Sequence, residues 1–393
     1  MKKLILLSIL LIVGCVTEPE DCAGVAGGDA VEDNCGTCDT DSTNNCVQDN
    51  CGVWGGSGGV ELFGGCYYVE TTTTLNLYNS TLVGEIPSEI GSLINLREID
   101  LSYNQITGQI PKEIGNLNKL AKLNLSFNQL TGEIPLEIGS LLLLDTLNLS
   151  RNSLEGTIHN LFNNLVGLIS LRLHSNQLEG TIPEEIWDLY NLKEFFLWNN
   201  NFTGELNSDI GDLFQLEELW LGKNNFTGTL PDRLWTLPNL WGLWLEENNF
   251  EGVIPSDIGN LNLQELYLSN NLFSSSLPNE ICNLNILSFT STYFWEGGNW
   301  KYFDISNNQF CPPYPECLTG GQEFTDENEN GIWDEGEPFF DCGLDGICPE
   351  DNDYISPDED ATEGNGIIDN VVGEQDTSEC EYCIDNPTNP LCN

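Results

Sequence analysis

The chain has 393 residues, of which 40% are hydrophobic, and its 62 acidic residues outnumber 12 basic ones, giving a net charge of -50. Nucleic acids and anionic lipid surfaces repel such a chain, so neither is an expected partner. The hydrophobic content is nevertheless sufficient for a sizeable core.

The N-terminus has the features of an export signal. Lys2 and Lys3 precede an apolar run over residues 4–13, which is too short to cross a bilayer as a helix. The run ends in Ile-Val-Gly-Cys at residues 12–15, which resembles the lipobox of bacterial lipoproteins. The resemblance implies a signal peptide over residues 1–14 and a lipid anchor on Cys15, at the outer membrane or cell surface of a bacterium. An ordinary signal peptide followed by a chance cysteine is the alternative.

Two short cysteine-containing segments follow the signal. Residues 15–50 are rich in Asp, Gly and Cys and cannot build a hydrophobic core, so they are predicted to form a spacer. Residues 51–74 are predicted to form an N-terminal cap in which Cys51 and Cys66 pair as a disulfide. An exported chain meets an oxidising compartment, and no His lies nearby, so a disulfide is favoured over zinc. Lipidation of Cys15 leaves an even number of the 15 cysteines for disulfides.

Internal repetition dominates the middle of the chain. The tetrapeptide GEIP at Gly84 returns in related form every 24 residues, at Gly108, Gly132, Gly156, Gly180, Gly204, Gly228 and Gly252. A degraded copy begins at Ser275. A fixed register of this length indicates stacked units that bury a core only by packing against their neighbours.

Each repeat also contains a phrase such as Leu123-x-Leu125-x-x-Asn128, whose alternation predicts a strand with one buried face. The Asn side chain can donate to and accept from the backbone where the chain leaves the sheet. Stacked repeats therefore predict an asparagine ladder, with Ser80 at the first turn and with the members Asn104, Asn128, Asn152, Asn176, Asn200, Asn224, Asn248, Asn271 and Asn308.

The full phrase LxxLxLxxNxLTGxIPxEIGxL resembles the plant-specific class of leucine-rich repeat found in receptor-kinase ectodomains and polygalacturonase-inhibiting proteins. The resemblance covers about residues 75–318, which end in a C-terminal cap containing Cys282, Cys311 and Cys317. It implies an α/β solenoid: a right-handed superhelix with a parallel β-sheet on its concave face, cysteine-containing caps and irregular acidic flanks. Ligands of this family usually bind the concave face.

Side chains between the two core positions of each strand face outward on that sheet. In the second half of the solenoid they are aromatic, and Trp198, Trp241 and Glu246 lie beside them, so one exposed aromatic strip is predicted from Phe196, Trp220, Trp244 and Tyr267. Such a strip is typical of a surface that binds a glycan or an extracellular peptide or protein. The alternative is that the rings only pack against one another across the sheet. On the first interpretation, replacing Trp220 and Trp244 by alanine abolishes ligand capture and leaves the solenoid folded.

Two further tryptophans are assigned to packing. Trp187 and Trp235 replace the glycine of the EIGxL segment on the other side of the coil, where they are predicted to pack locally.

Residues 319–393 form an acidic, cysteine-containing region that matches the calcium-loop template. The spacing places candidate ligands at Asp326, Asn328, Asn330, Ile332 (through its carbonyl), Asp334 and Glu337. Hard oxygen ligands at this spacing suit calcium, which is the one cofactor predicted. A solvated acidic tail is the alternative. If the loop is occupied, a calcium-dependent structural or adhesive surface protein is the alternative function.

Catalysis is not expected. Neither His159 nor His174 has a nucleophile in a recognisable motif. Glu218 and Glu246 near the aromatic strip offer a carboxyl pair for a glycan-active enzyme, but a repeat surface is shallow and unsuited to raising one pKa. A binding protein is therefore the predicted function.

Overall fold

The computed structural model describes residues 59–158, 161–162, 164–286, 303–311 and 314–319, together with the short segments 29, 31–32, 38–39, 51, 292–295, 298–301, 323–324 and 339–340. The chain divides into two compact units, residues 1–71 and 72–393.

The first unit contains two antiparallel strand pairs. Val31–Glu32 pairs with Cys38–Asp39, and Gly59–Leu62 pairs with Gly65–Tyr68. The second pair turns through Phe63 and Gly64, both of which have positive φ, as the tightest hairpin turns require. The predicted disulfide between Cys51 and Cys66 is present in this unit.

The second unit is the predicted solenoid of parallel strands. Its main sheet, here called the long sheet, has ten strands in chain order along the solenoid. They are Thr74–Asn76, Glu98–Asp100, Lys122–Asn124, Thr146–Asn148, Ser170–Arg172, Glu194–Phe196, Glu218–Trp220, Gly242–Trp244, Glu265–Tyr267 and Phe303–Asp304. The central residue of each three-residue strand, and Phe303 of the last strand, is buried because alternate side chains face the interior.

A second sheet lies later in each coil. Its eight strands are Thr131–Glu133, Ser153–Gly156, Gln177–Gly180, Asn201–Gly204, Asn225–Thr229, Asn249–Gly252, Leu272–Ser276 and Gln309–Cys311, and a separate pair is formed by Val83–Glu85 and Gln105–Thr107. The repeat glycines, from Gly84 to Gly252, lie in or directly after these strands and have a φ of 75° to 93°, which an amino acid with a Cβ rarely adopts. In the degraded repeat, Ser275 takes this conformation with a φ of 71°.

Short 3-10 helices complete the coils. They span Ser88–Ser92, Lys112–Asn116, Leu136–Ser140, Glu184–Asp188, Ser208–Asp212, Asp232–Thr236, Ser256–Asn260 and Asn279–Asn283. Each buries one aliphatic side chain, such as Ile114 or Leu234. The last is joined by a disulfide between Cys282 and Cys317 to the short α-helix Glu316–Thr319.

The asparagine ladder is confirmed. In a typical rung, Asn224 Nδ2 donates to the carbonyls of Leu221, at 3.0 Å, and Leu197 in the preceding coil, at 3.0 Å. Its Oδ1 accepts from the backbone N–H of Phe202, also in the preceding coil, at 3.0 Å. Each asparagine therefore satisfies backbone groups of two coils at once.

A file of phenylalanines fills the core beside this ladder. Phe202, Phe226, Phe250, Phe273 and Phe310 are fully buried, and successive ring centroids lie 5.9 to 6.4 Å apart. Trp187 and Trp235 are buried as predicted, with exposed fractions of 4% and 1%.

The last coil is formed after a longer excursion of the chain. Asn308 comes 37 residues after Asn271, yet its side chain donates to Leu268 and accepts from Phe273 N–H, as in every other rung. The strand Phe303–Asp304 likewise pairs in register with Glu265–Tyr267. The intervening residues include an antiparallel pair, Thr292–Trp295 and Gly298–Lys301.

Candidate functional site

The predicted aromatic strip is in register on the long sheet. Phe196 pairs with Trp220, Trp220 with Trp244, and Trp244 with Tyr267 on successive parallel strands. The ring centroids lie 4.1, 4.9 and 5.8 Å apart along the strip, and Trp241 meets Trp244 edge-on at 6.1 Å. The four rings therefore form one continuous row of contacts, with stacked pairs at its two ends and a tilted pair, Trp220 and Trp244, between them.

The strip is less exposed than the sequence predicted. Phe196 has an exposed fraction of 4% and Trp244 of 9%, while Trp220 and Tyr267 are half-buried. The expectation of four solvent-exposed rings is wrong for Phe196 and Trp244. Trp220 and the Arg172 guanidinium lie against the Phe196 ring, and three aromatic rings surround Trp244. Cross-strand packing of the rings, the alternative, thus accounts for most of their surface.

Two glycines determine where the large side chains lie. A Cβ at Gly242 would overlap the six-membered ring of Trp244, which folds back over that glycine. A Cβ at Gly222 would overlap the carboxylate of Glu246. Both glycines occupy outward-facing positions, and the side chains they lack leave the space that Trp244 and Glu246 fill.

Glu246 reaches over the intervening coil, at Gly222, to contact Trp198 two coils earlier. Its Oε1 accepts a hydrogen bond from Trp198 Nε1 at 2.8 Å, and Lys223 Nζ lies 5.1 Å from the centre of the Trp198 ring. Its Oε2 is buried and has no hydrogen-bond partner in the described part of the chain. Burial raises the pKa of the Glu246 carboxyl above its ordinary value.

Three carboxylates near the strip are paired with basic side chains. Glu194 lies 2.8 Å from Arg172, Glu217 lies 2.6 Å from Lys193, and Glu247 lies 3.3 Å from Lys223.

Glu218 and Glu265 form no such ion pair with any residue that the structure describes. They occupy equivalent positions on either side of Gly242. Burial raises the pKa of Glu218 to about 7, with a contribution from the negative charge of Glu194 against an opposing effect of Arg172. Burial also raises the pKa of Glu265. The aromatic strip together with Glu218, Glu246 and Glu265 is here called the acidic aromatic face.

His174 borders this face and is neutral at physiological pH. Burial and, to a smaller extent, the positive charges of Arg151 and Arg172 together lower the pKa of its imidazole to about 4. Its ring lies 6.1 Å from both Phe196 and Trp220, so it extends the strip as an uncharged ring.

The raised pKa of Glu218 gives a stability that depends on pH. A free Glu titrates at 4.5, so between pH 4.5 and about 7 the folded protein binds more protons than the unfolded chain. The stability from this carboxyl is complete below pH 4.5 and is lost as the pH rises through 7. We expect Glu218→Gln to be more stable than the wild type at pH 8, by about 1 kcal/mol once solvent screening is allowed for, and equal to it at pH 4. Urea unfolding at the two pH values measures the difference, with the exposed Glu251→Gln as the control. An equal difference at both pH values would contradict the assignment.

The two carboxyls offered as an enzyme's acid pair do not face one another. Glu218 lies beside the strip at the start of its strand, whereas Glu246 follows the next strand and lies over Gly222 on the opposite side of the strip.

An open groove of about 950 Å³ lies in earlier repeats, where Glu85, Gln109 and Glu133 line it.

Several predicted residues lie outside the described part of the chain. These are the lipidation site Cys15 and the calcium loop with Asp326, Asn328, Asn330, Ile332, Asp334 and Glu337. Among the residues that are described, no helix has the length and apolar character to cross a membrane.

The repeats match known family models. A leucine-rich repeat model matches residues 70–130, and a second matches residues 143–165, 167–189, 191–213, 215–237, 239–261 and 262–284. Together they cover just over half of the chain, which belongs to the leucine-rich repeat family. No curated protein matches the chain.

Several solved structures are similar to the repeat region of this chain. The plant peptide hormone receptor RGFR1 in complex with RGF2 is 34% identical, with a TM-score of 0.51, covering 62% of this chain and 41% of the receptor chain. The Arabidopsis receptor kinase HAESA ectodomain in complex with an IDA peptide hormone is 30% identical, with a TM-score of 0.53 and coverages of 61% and 42%. A plant ice-binding protein is 28% identical, with a TM-score of 0.51 and coverages of 62% and 75%. The chain thus spans less than half the length of either receptor chain.

Proposed function

We propose that this protein binds an extracellular protein or peptide through the acidic aromatic face, and that the bound segment carries Lys or Arg side chains. The observation that carries the proposal is that Glu218, Glu246 and Glu265 surround the aromatic strip without an ion-pair partner among the described residues. Glu194, which lies in register with Glu218 on the preceding strand, is paired with Arg172.

A cationic segment would supply positive charges next to Glu218, Glu246 and Glu265. The raised pKa values of the three carboxyls mean that their ionised forms are poorly solvated. A Lys or Arg that approaches them forms charge-assisted hydrogen bonds, and the adjacent ring edges and faces add contact area and cation–π attraction. The net charge of -50 also favours encounter with a basic partner.

The ring packing favours a peptide over a glycan. A sugar stacks on the open face of an aromatic ring, whereas the faces of Phe196 and Trp244 are covered by their neighbours. The two receptors to which the repeats are similar were determined in complex with peptide hormones, which supports the same choice.

Attachment and calcium binding are proposed on the sequence alone. We propose that Cys15 carries a lipid at the cell surface and that the loop over residues 326–337 binds calcium. Mass spectrometry of the mature chain and calorimetric titration with calcium test these two assignments.

The binding proposal is tested with a phage-displayed library of random 15-residue peptides selected on the full-length protein. Synthetic copies of the selected peptides are then titrated against a variant carrying Glu218→Gln, Glu246→Gln and Glu265→Gln. We expect the selected sequences to be enriched in Lys and Arg, and their affinity to fall at least about tenfold in this variant, because each substitution removes a charge and keeps the side-chain shape.

A second triple variant is the matched control. Glu133→Gln, Glu137→Gln and Glu155→Gln change the net charge equally at exposed positions away from the long sheet. Equal loss of affinity in both triple variants would mean that only overall charge matters, and unchanged affinity in the first would reject the acidic aromatic face as the site.

A further inference from the structure

A second surface of the solenoid is apolar and exposed. Leu142, Val166, Tyr190 and Phe214 occupy equivalent positions in four consecutive coils, with exposed fractions of 59%, 54%, 46% and 49%. Leu143 and Ile169 beside them are exposed by 61% and 42%. These six residues are here called the apolar ridge. They lie between the 3-10 helices and the long sheet, outside the acidic aromatic face.

The local backbone turns these side chains outward. The buried leucines before Leu142, Tyr190 and Phe214 have the φ and ψ of an inverse γ-turn: -84° and 67° at Leu141, -84° and 64° at Leu189, and -79° and 52° at Leu213. The N–H of the following residue bonds back two residues, as from Leu142 to the Ser140 carbonyl at 3.0 Å. The leucine therefore enters the core while the next side chain points to solvent.

Neighbouring coils hold the ridge in place. Asn191 Nδ2 donates to the carbonyl of Val166 in the preceding coil, and Asn239 Nδ2 donates to the carbonyl of Phe214, both at 2.9 Å. The backbone beneath the ridge is thus tied from coil to coil, and the surface is preorganised for contact.

The fold does not require apolar residues here. Asn118 occupies the same position in an earlier coil and is exposed, and the residue before it has the same turn geometry, with φ of -81° and ψ of 61°. A polar side chain therefore fits the position. Contiguous exposed apolar side chains of this kind mark interaction surfaces.

The charges around the ridge indicate the nature of its partner. Asp145 and Asp188 border it and form no ion pair with any described residue. Asp145 accepts a hydrogen bond from Thr146 Oγ1 at 2.7 Å, and Asp188 accepts one from Tyr190 Oη at 3.0 Å. Asp212 is paired with Arg233, and Glu217 with Lys193. A second copy of this acidic chain and an anionic membrane are both repelled.

We propose that the apolar ridge docks a second protein, one that offers an apolar strip flanked by Lys or Arg residues. Leu142, Val166 and Phe214 provide the apolar contact, and Asp145 and Asp188 pair with the flanking cations. The protein then has two separate binding surfaces and can hold two partners together.

The test uses a defined probe on the full-length protein. An 18-residue helical peptide with Leu along one face and Lys on both flanks is titrated by fluorescence anisotropy, beside a counterpart with Glu in place of Lys. The ridge variant carries Leu142→Asn, Val166→Asn and Phe214→Asn, the residue that the chain itself has at Asn118. Its matched control carries Val83→Asn, Leu136→Asn and Val253→Asn, which are equally exposed positions off the ridge.

We expect the Lys peptide to bind the wild type and the control, and to bind the ridge variant at least about tenfold more weakly. We also expect the Glu peptide not to bind. The ridge substitutions should cause the same loss of Lys-peptide binding when they are made in the carboxamide variant, in which the other cation-binding surface is removed. Equal binding to the ridge and control variants would overturn the proposal. A wild-type dimer in sedimentation that dissociates in the ridge variant would identify a second copy as the occupant instead. Ridge-dependent flotation with phosphatidylcholine vesicles would identify a lipid surface.

Discussion

Replacing Asn224 with alanine is expected to destabilise the solenoid by about 3–5 kcal/mol. The substitution removes the amide that donates to Leu197 and Leu221 and accepts from Phe202. The groups left behind are buried, and each buried polar group without a partner costs about 1–3 kcal/mol. Asn224 itself has an exposed fraction of 8%, so water offers little compensation. Urea unfolding followed by circular dichroism measures the loss.

The neighbouring residue provides the control for this prediction. Asn225 is exposed at the start of the next strand, and Asn225→Ala is expected to change stability by less than about 0.5 kcal/mol. If the two alanine variants unfold at the same urea concentration, the hydrogen bonds of Asn224 do not contribute to the free energy of unfolding.

Trp244→Ala is the second substitution with a large expected effect. Trp244 packs against Trp220, Trp241 and Tyr267 and covers Gly242, so truncation leaves a cavity in the middle of the ring stack. Truncation of a buried aromatic residue costs about 3–5 kcal/mol. Thermal and urea unfolding both report the loss, and the near-ultraviolet circular dichroism of the stacked rings should fall with it.

An exposed aromatic residue of the same solenoid is the comparison for Trp244. Tyr78 has an exposed fraction of 52%, and Tyr78→Ala is expected to cost less than about 1 kcal/mol. A smaller loss for Trp244→Ala than for Tyr78→Ala would mean that the tryptophan ring is solvated, as the sequence alone suggested. If the loss is large, the alanine variants of the strip are poor binding tests, because unfolding also abolishes capture. The carboxamide variants avoid this ambiguity.

The sequence predicted those features that repeat. The spacing of Leu123, Leu125 and Asn128 is enough to predict the strand, its buried face and the ladder, since each depends on local alternation and on an unchanged register. The same register placed Phe196 and Trp220 side by side. These features recur in every coil, so each copy of the repeat supports the same prediction.

The burial of the aromatic strip depends on residues that break the pattern. Trp244 is covered because Gly242 lacks a side chain, and Glu246 reaches Trp198 because Gly222 lacks one. Neither contact follows from alternation, because each joins an outward side chain to a gap in a neighbouring column. The two glycines are visible when the outward residues of successive coils are aligned. Which side chains fill the space beside them can be seen only in the three-dimensional structure.

The apolar ridge was absent from the sequence prediction for a different reason. Its signal is present, as Leu142, Val166, Tyr190 and Phe214 lie 24 residues apart and each follows a buried leucine. The alternation of apolar and polar residues does not show whether such a residue or the leucine before it is buried. Only the turn at Leu141 and its equivalents shows which of the two apolar neighbours faces water.

The late return of Asn308 to the ladder has a consequence for how proteins of this kind diversify. Asn308 follows Asn271 by 37 residues, whereas the other ladder positions are 23 or 24 residues apart, and yet the strand pairing and hydrogen bonds of the last coil are unchanged. Because the entropic cost of closing a loop grows slowly with its length, additional sequence can be inserted between Ile286 and Phe303 at little thermodynamic cost, provided that the strand and its asparagine return in register. Such a position gives evolution, or a protein engineer, a place to graft new loops onto the scaffold without redesigning its interior.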